Sequence, residues 1–354
     1  MDKHKYSLVI ILLSIIFQIK CNSPSKEVYF KKFPKQIKIN AKKIKNKEVQ
    51  TTRNFIGILD SSIIIGNHND NKIIYLVNKY DLSLERRFIR RGKGPGEIPW
   101  LRGIDLYKKK LFIKSGDKNK IYTFFLPNTL TEKDLAYTEY MDYTFTNEIF
   151  EMEMVNDSLL IYSGCIEHLL TLINNKGETL KNIGELPKKP KKISKVHHDN
   201  LYTHFFTYNK KRKKIVVGYY FFDCLISYDL RGNKIFKRKG PDKINPDYND
   251  LYKPYQKKCY YKIKSDYDYI YCLYSGRKSY KRLSESTGIN NIKDNYPKSI
   301  LIFDWEGNPK LRVNLSHECR DFIIDKETNR LITLSLEEEP FHVYDFSKIK
   351  QALN

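Results

Sequence analysis

Several things are missing from this sequence, and each absence narrows the field. After the first twenty residues no stretch approaches the ~18 apolar residues of a membrane-spanning helix, which excludes a polytopic helical membrane protein. None of the six cysteines pairs with another at the C-x-x-C spacing of a zinc or dithiol site. No G-x-S-x-G elbow presents a hydrolase serine. Nothing calls for a cofactor, and no amphipathic helical pattern of convincing length appears.

Acidic residues are the other shortage. Asp and Glu number 41 against 64 Lys and Arg, a net charge of +23 over 354 residues. Such an excess is either the footprint of a polyanion-binding surface or lysine spread over a solvated exterior. Abundant Asn, Ile and Tyr beside the Lys favour a compositional bias, so nucleic acid is not an expected partner. Hydrophobic residues at 41% and aromatics at 14% leave enough apolar material for a sizeable core. The abundant Ile and Tyr suit pleated, half-buried surfaces.

What is present begins at the N-terminus. Lys3 and Lys5 precede an apolar run from Tyr6 to Phe17, short for a span and right for a secretory core. Cys21 follows closely. Residues 1–20 therefore read as a signal peptide, and Cys21 as the lipidated first residue of a bacterial lipoprotein. Gln18, Ile19 and Lys20 depart from the small residue usual before such a cysteine, so an uncleaved membrane anchor is the alternative. Residues 21–50 are polar and lysine-rich and read as a tether containing short strands.

From Phe55 onward one unit recurs. It is an apolar strand, a polar gap, a second apolar strand, and a turn rich in Asn, Asp or Gly. Its clearest copy runs from Ser299 to Leu315: strand Ile300 to Phe303, turn Asp304 to Asn308, then an alternating strand, the signature of a β-hairpin. Equivalent turns fall at Asn78, Asn128, Asn174, Asp229, Asp304 and Asp345, at intervals of 41 to 75 residues. Those intervals bracket the repeat of four-stranded propeller blades. Residues 51–354 are thus expected to form an all-β, six-bladed β-propeller. Closing such a ring requires a strand from one terminus to complete a blade made by the other, and Glu27 to Ile44 is the natural candidate to join the sixth blade. Ser347 to Leu353 reads as a short turn or a last strand.

Few local motifs suggest chemistry. Arg91, Lys93 and Glu97 sit in a glycine-rich run that is a candidate binding loop. The glycines do not stand between a strand and a helix, as a phosphate loop requires. A similar basic-Gly-Pro run at Lys237 to Pro241 favours a tight crossover between blades. His197, His198, Asp199 and His204 are metal-ligand types, but lysines crowd them and no further ligand completes a site, so no metal is expected. Carboxylates cluster at Asp304 to Glu306 and at Glu337 to Glu339, where solvated turns suffice. Lys188 to Lys192 and Lys210 to Lys214 read as solvated loops. Cys259 and Cys272 lie on two strands that meet near Ser265; they are either a cross-strand disulfide or two buried thiols. The insertion Ser275 to Lys298 interrupts the fifth unit, and its Arg277, Tyr280, Lys281 and Arg282 are candidate recognition residues.

Four segments carry a family likeness: Arg91 to Glu97, Tyr274 to Gly276, Phe303 to Pro309, and Phe322 to Asp325. Together they resemble the TolB-like six-bladed β-propeller lipoproteins of Bacteroidota, from about Phe55 to the C-terminus. The resemblance implies an exported protein held in the cell envelope by its N-terminal lipid. Its propeller would act as a binding module for an envelope protein or glycan. It transfers no catalytic residues. The competing class is a propeller-type lyase or hydrolase acting on an envelope or glycan substrate, and fold does not choose between them.

Overall fold

The computed structural model describes residues 27–46, 48–49, 54–67, 70–115, 120–126, 137–142, 151–164, 168–248, 257–278, 280–283, 290–293, 296–335 and 340–354. The leader, Cys21, Cys165, Asn128 and Glu337 to Glu339 lie outside the described residues. Three short strands come first: β1 (Glu27–Tyr29), β2 (Lys35–Ile39) and β3 (Lys42–Ile44). Blade one is β4 (Asn54–Leu59), β5 (Ser62–Gly66), β6 (Lys72–Asn78) and β7 (Leu84–Arg90). Blade two is β8 (Leu101–Tyr107), β9 (Lys110–Ser115), β10 (Lys120–Phe125) and β11 (Tyr137–Asp142). Blade three is β12 (Glu151–Asn156), β13 (Leu159–Ser163), β14 (His168–Asn174) and β15 (Thr179–Glu185).

A short helix, α1 (Lys195–Leu201), leads into blade four: β16 (His204–Asn209), β17 (Lys214–Tyr219), β18 (Cys224–Asp229) and β19 (Lys234–Lys239). Blade five has β20 (Lys257–Ser265) and β21 (Ile270–Lys278), then an inserted hairpin of β22 (Tyr280–Leu283) and β23 (Asn290–Lys293), then β24 (Ser299–Phe303) and β25 (Pro309–Leu315). Blade six is β26 (Asp321–Asp325), β27 (Arg330–Leu334) and β28 (Phe341–Asp345), followed by α2 (Ser347–Leu353). That last stretch is therefore a helix rather than a turn or strand. Its Ile349 is buried against blade five and the nearby β2.

The second and third strands of each blade are apolar on both faces because a blade lies on either side. β5 and β24 are buried at every residue. A separate hydrophobic cluster fills each junction. Ile64, Leu76, Ile113 and Phe124 join blades one and two. Phe112, Met154 and Tyr162 join two and three. Leu170, Phe206 and Ile215 join three and four, and Val216, Phe236, Tyr260 and Leu301 join four and five. Ile300, Phe322 and Tyr344 join five and six. Phe55, Ile63, Ile332 and Phe341 join six back to one, so the ring closes.

The closing strand is β3, which pairs antiparallel with β28 in the register His342 to Lys43. The rest of Glu27 to Ile44 does not join blade six. β1 adds a fifth strand, parallel, to β19 of blade four, and β2 does the same to β25 of blade five. The N-terminal segment is thus a belt around half the ring. Glu27 fastens its start by ion pairs to Lys237 at 2.9 Å and Lys239 at 2.5 Å.

The recurring turns have one physical cause. Asn78 Oδ1 accepts the N–H of Tyr80 at 2.9 Å, and Asn174 Oδ1 that of Lys176 at 3.0 Å. Asp229 Oδ1 accepts from Arg231 at 2.9 Å, Asp304 Oδ1 from Glu306 at 3.0 Å, and Asp345 Oδ1 from Ser347 at 2.9 Å. These are Asx turns, in which a short polar side chain replaces a backbone acceptor.

Candidate functional site

Each inner strand presents one edge to the central channel, and an unpaired edge leaves N–H groups without partners. Carboxylates from the neighbouring blade take several of them. Asp105 Oδ2 accepts the N–H of Met154 at 2.7 Å. Glu151 Oε2 accepts from Phe206 at 3.2 Å, and Glu153 Oε2 from Tyr208 at 2.9 Å. Asp321 Oδ2 accepts from Phe55 at 2.8 Å. These acids stitch blade two to three, three to four, and six to one, so part of their role is structural.

Lysines meet them from the other side. Period-two alternation on β20 turns Lys262 and Lys264 inward around a buried Ile263. Lys262 Nζ lies 2.5 Å from Glu151 Oε1, and Lys264 Nζ lies 3.5 Å from Asp321 Oδ1. Lys210 follows β16 directly, and its Nζ sits 3.8 Å from the centre of the Tyr107 ring. Between these groups lies a cavity of about 320 Å³, whose walls include Asn54, Asp105, Glu153, Thr207, Lys210 and Lys264. A second, of about 340 Å³, adjoins it at Lys264 and Ser265 and has Tyr271 and Ile323 in its walls.

Electrostatics in the channel are strained. Burial pushes the Glu153 carboxyl up to about 8, helped by the charge of Asp105 and opposed by the Tyr208 N–H. Burial also raises Asp105, against the pull of the Met154 N–H and Lys210. Burial lowers Lys210 despite Asp105 and Glu153, and lowers Lys264 despite Asp321. At Lys262 burial acts downward too, but Glu151 and Asp321 outweigh it and its ammonium is held above the usual range. A carboxyl kept protonated near neutral pH is a hydrogen-bond donor and a proton reservoir.

A six-bladed ring with a charged central cavity can now be compared with known proteins. The model of the TolB-like 6-blade propeller-like family matches residues 32–327. The chain belongs to this TolB-like family. In three dimensions it is similar to a member of the duf4221 family from Bacteroides vulgatus, with a TM-score of 0.58 at 10% identity, covering 86% of this chain and 95% of that one. It is also similar to a Bacteroides fragilis protein described as a presumed exported protein, with a TM-score of 0.53 at 9% identity, covering 87% and 98%. At such identities the likeness concerns fold. No curated protein matches the sequence.

In this TolB-like propeller Arg91, Lys93, Glu97 and Arg277, singled out from sequence, are not among the described walls of the cavity. Glu97 folds back into its own loop, where Oε2 accepts the Gly94 N–H at 3.0 Å, and Arg91 Nε donates to the Pro99 carbonyl at 3.0 Å. Lys93 lies in the same loop, so this run is a self-braced crossover. The second basic-Gly-Pro run is braced by buried Asp223, whose Oδ2 accepts the Asp242 N–H at 2.7 Å. Arg277 latches the insertion, donating to the Tyr296 carbonyl and lying 3.3 Å from Glu318. Tyr280, Lys281 and Arg282 form β22, paired in register with β23.

Cys259 and Cys272 are buried free thiols. Both lie on the β20–β21 pair, but Cys272 opposes Ile263, whereas Cys259 falls between the pairs Lys258–Arg277 and Tyr260–Tyr274. The register keeps them from facing one another, as a disulfide would require. His204 is buried, and its two ring nitrogens face the carbonyls of Tyr202 at 2.9 Å and Leu169 at 2.8 Å. It thus pins blade four to blade three. Among the described residues no group of His, Cys, Asp and Glu is placed to hold a metal. Lys210, first of a run read as a solvated loop, is instead at the cavity.

Proposed function

We propose that this propeller is an exported, lipid-anchored binding module of the cell envelope, and that its ligand is a small polar molecule received in the central cavity. The observation that carries the reading is the cavity wall: charged side chains of opposite sign fixed on strands that the ring holds rigid. Export is supported by the secretory-type leader ending near Cys21 and by the likeness to a presumed exported protein. Among the described residues no helix is long and apolar enough to cross a membrane, and the cysteine that follows the leader supports attachment through an N-terminal lipid.

The test uses a low-molecular-weight extract of the native envelope. It should raise the melting temperature of the purified protein, and not that of Thr207→Phe or Ser265→Phe, which fill the cavity. Equal shifts in all three, or none, would overturn the ligand reading. For the anchor, Cys21→Ser should move the protein from the membrane to the soluble fraction, and unchanged lipid-dependent retention would refute it.

A second reading has one observation in its favour. Asp105 and Glu153, two interacting carboxyls with one kept protonated, are the form that acid–base catalysis takes. A hydrolase or lyase would lose turnover on Glu153→Gln while keeping substrate affinity; a binding module would show a change in affinity alone.

A further inference from the structure

Two of the cavity's charged pairs are complete. Glu151 is matched by Lys262 at 2.5 Å and Asp321 by Lys264 at 3.5 Å. Three groups remain: Asp105, Glu153 and Lys210. All three line the cavity, and they interact electrostatically. Yet among the described residues Lys210 forms no direct ion pair. Its ammonium rests over the Tyr107 ring instead, at 3.8 Å. Glu153 uses one carboxylate oxygen for the Tyr208 N–H, and its other has no partner among the described residues. Once Glu153 is ionised, opposite charges are thus held near one another but out of contact, on adjacent blades that the Glu153 side chain joins through the Tyr208 N–H.

A gap of this kind selects its occupant by charge pattern. A simple anion would be drawn to Lys210 but repelled by Asp105 and Glu153. A simple cation would meet the reverse. A molecule carrying both signs, reversed relative to the wall, satisfies both ends at once. Ile104, Met152 and Tyr208 in the cavity wall add apolar surface for the carbon frame between the two heads. We propose that the cavity takes a small amphoteric ligand, an amino-acid-type zwitterion whose ammonium meets the free oxygen of Glu153 and whose carboxylate meets Lys210.

This proposal rests on the cavity being a ligand site, and its test fails separately. Isothermal titration of the purified protein above about pH 8, where Glu153 is ionised, would compare alanine, 4-aminobutyrate and 6-aminohexanoate, zwitterions of increasing reach, with the single-headed controls n-butylamine and butyrate. At least one zwitterion should bind about tenfold or more tighter than both controls, the scale of one charge-assisted hydrogen bond. Glu153→Gln, which keeps an acceptor for the Tyr208 N–H, should abolish the advantage over butyrate. Lys210→Met should abolish the advantage over n-butylamine. The crossed pattern is decisive, because a folding defect would weaken every probe together. Controls that bind as tightly as the zwitterions, variants that weaken all probes equally, or no zwitterion binding at all would each overturn the assignment. If the envelope extract still stabilises the protein in that event, the cavity remains a ligand site for another chemistry.

Discussion

The carboxylate of Glu151 meets Lys262 Nζ at 2.5 Å, tying blade three to blade five across the blade between them. Its other oxygen takes the Phe206 N–H of that middle blade at 3.2 Å. One side chain therefore holds three blades. Glu151→Gln would leave Lys262 without its counter-charge, a loss of about 3 kcal/mol, the low end for a broken buried pair because the cavity admits water. Glu151→Gln with Lys262→Met should cost less than the two single changes added, by about 1–3 kcal/mol. Urea denaturation reads both, and strictly additive costs would show that the pair does not act as one.

The Asx turns make a sharper mutational prediction. Asp304 Oδ1 accepts the N–H groups of Glu306 at 3.0 Å and Asn308 at 2.8 Å. Asn fills the same position at residues 78 and 174. Asp304→Asn should therefore be nearly neutral, while Asp304→Ala should cost about 1–2 kcal/mol by stranding those donors. Gly307→Ala should also destabilise, because φ there is +80° and a Cβ would fall 2.8 Å from the Phe236 ring. Equal stability of the Asn and Ala variants would remove the turn from the account.

These turns explain which parts of the fold were legible. The apolar strands of the repeat recognised from sequence, of which Ile300 to Phe303 is the clearest, are middle strands of their blades. Burial from both sides makes them unbroken apolar runs, and the Asx turns punctuate them. The inner strands were not legible, because their channel-facing residues are charged. Lys257 to Ser265 contains four lysines and a serine that break the apolar pattern, although Lys262-Ile263-Lys264 and Glu151-Met152-Glu153-Met154 do alternate. That period of two, with a charged face ahead of an apolar run, was the available signal. The site itself unites residues from several blades far apart in sequence, so only closure of the ring assembles it. The loop motif at Arg91 to Glu97 was conspicuous for the opposite reason: a self-contained crossover concentrates its chemistry locally.

The belt should respond to acid. Lys239, then Lys237, holds the Glu27 carboxyl down to about 2 against partial burial. A folded-state value below the unfolded one contributes stability that is complete above the ordinary carboxylate range and is lost as pH falls towards 2. Hydrogen exchange at the β1 amides should accelerate across that window in the wild type beyond the change shown by Glu27→Gln. Identical acid profiles would mean that the clasp is silent.

The thiols offer a test of the register. Cys224, Cys259, Cys272 and Cys319 are buried, and burial pushes the Cys224 thiol up to about 12. None should react with a thiol reagent until the ring unfolds, when all four should become reactive. A bond between Cys259 and Cys272 found by non-reducing peptide mapping would contradict the strand register.

The carboxyl of Glu153 should make the protein less stable as pH rises. Its folded value, pushed up to about 8 by burial and by Asp105, lies above that of an unfolded glutamate. Between the ordinary carboxylate range and about 8 the folded state therefore holds a proton that the unfolded state has released. Unfolding is favoured progressively across that interval, and above it the buried charge weighs on the fold in full. Glu153→Gln removes the titration but keeps an acceptor for the Tyr208 N–H, so its stability should fall less between pH 5 and pH 9 than that of the wild type. The same substitution would expose a ligand's role. An ammonium held against Glu153 replaces the proton, so affinity for a zwitterion should rise with pH through about 8 in the wild type and stay flat in the variant. Parallel stability profiles for the two proteins would place the proton elsewhere in the channel, with Asp105 as the remaining carboxyl to test.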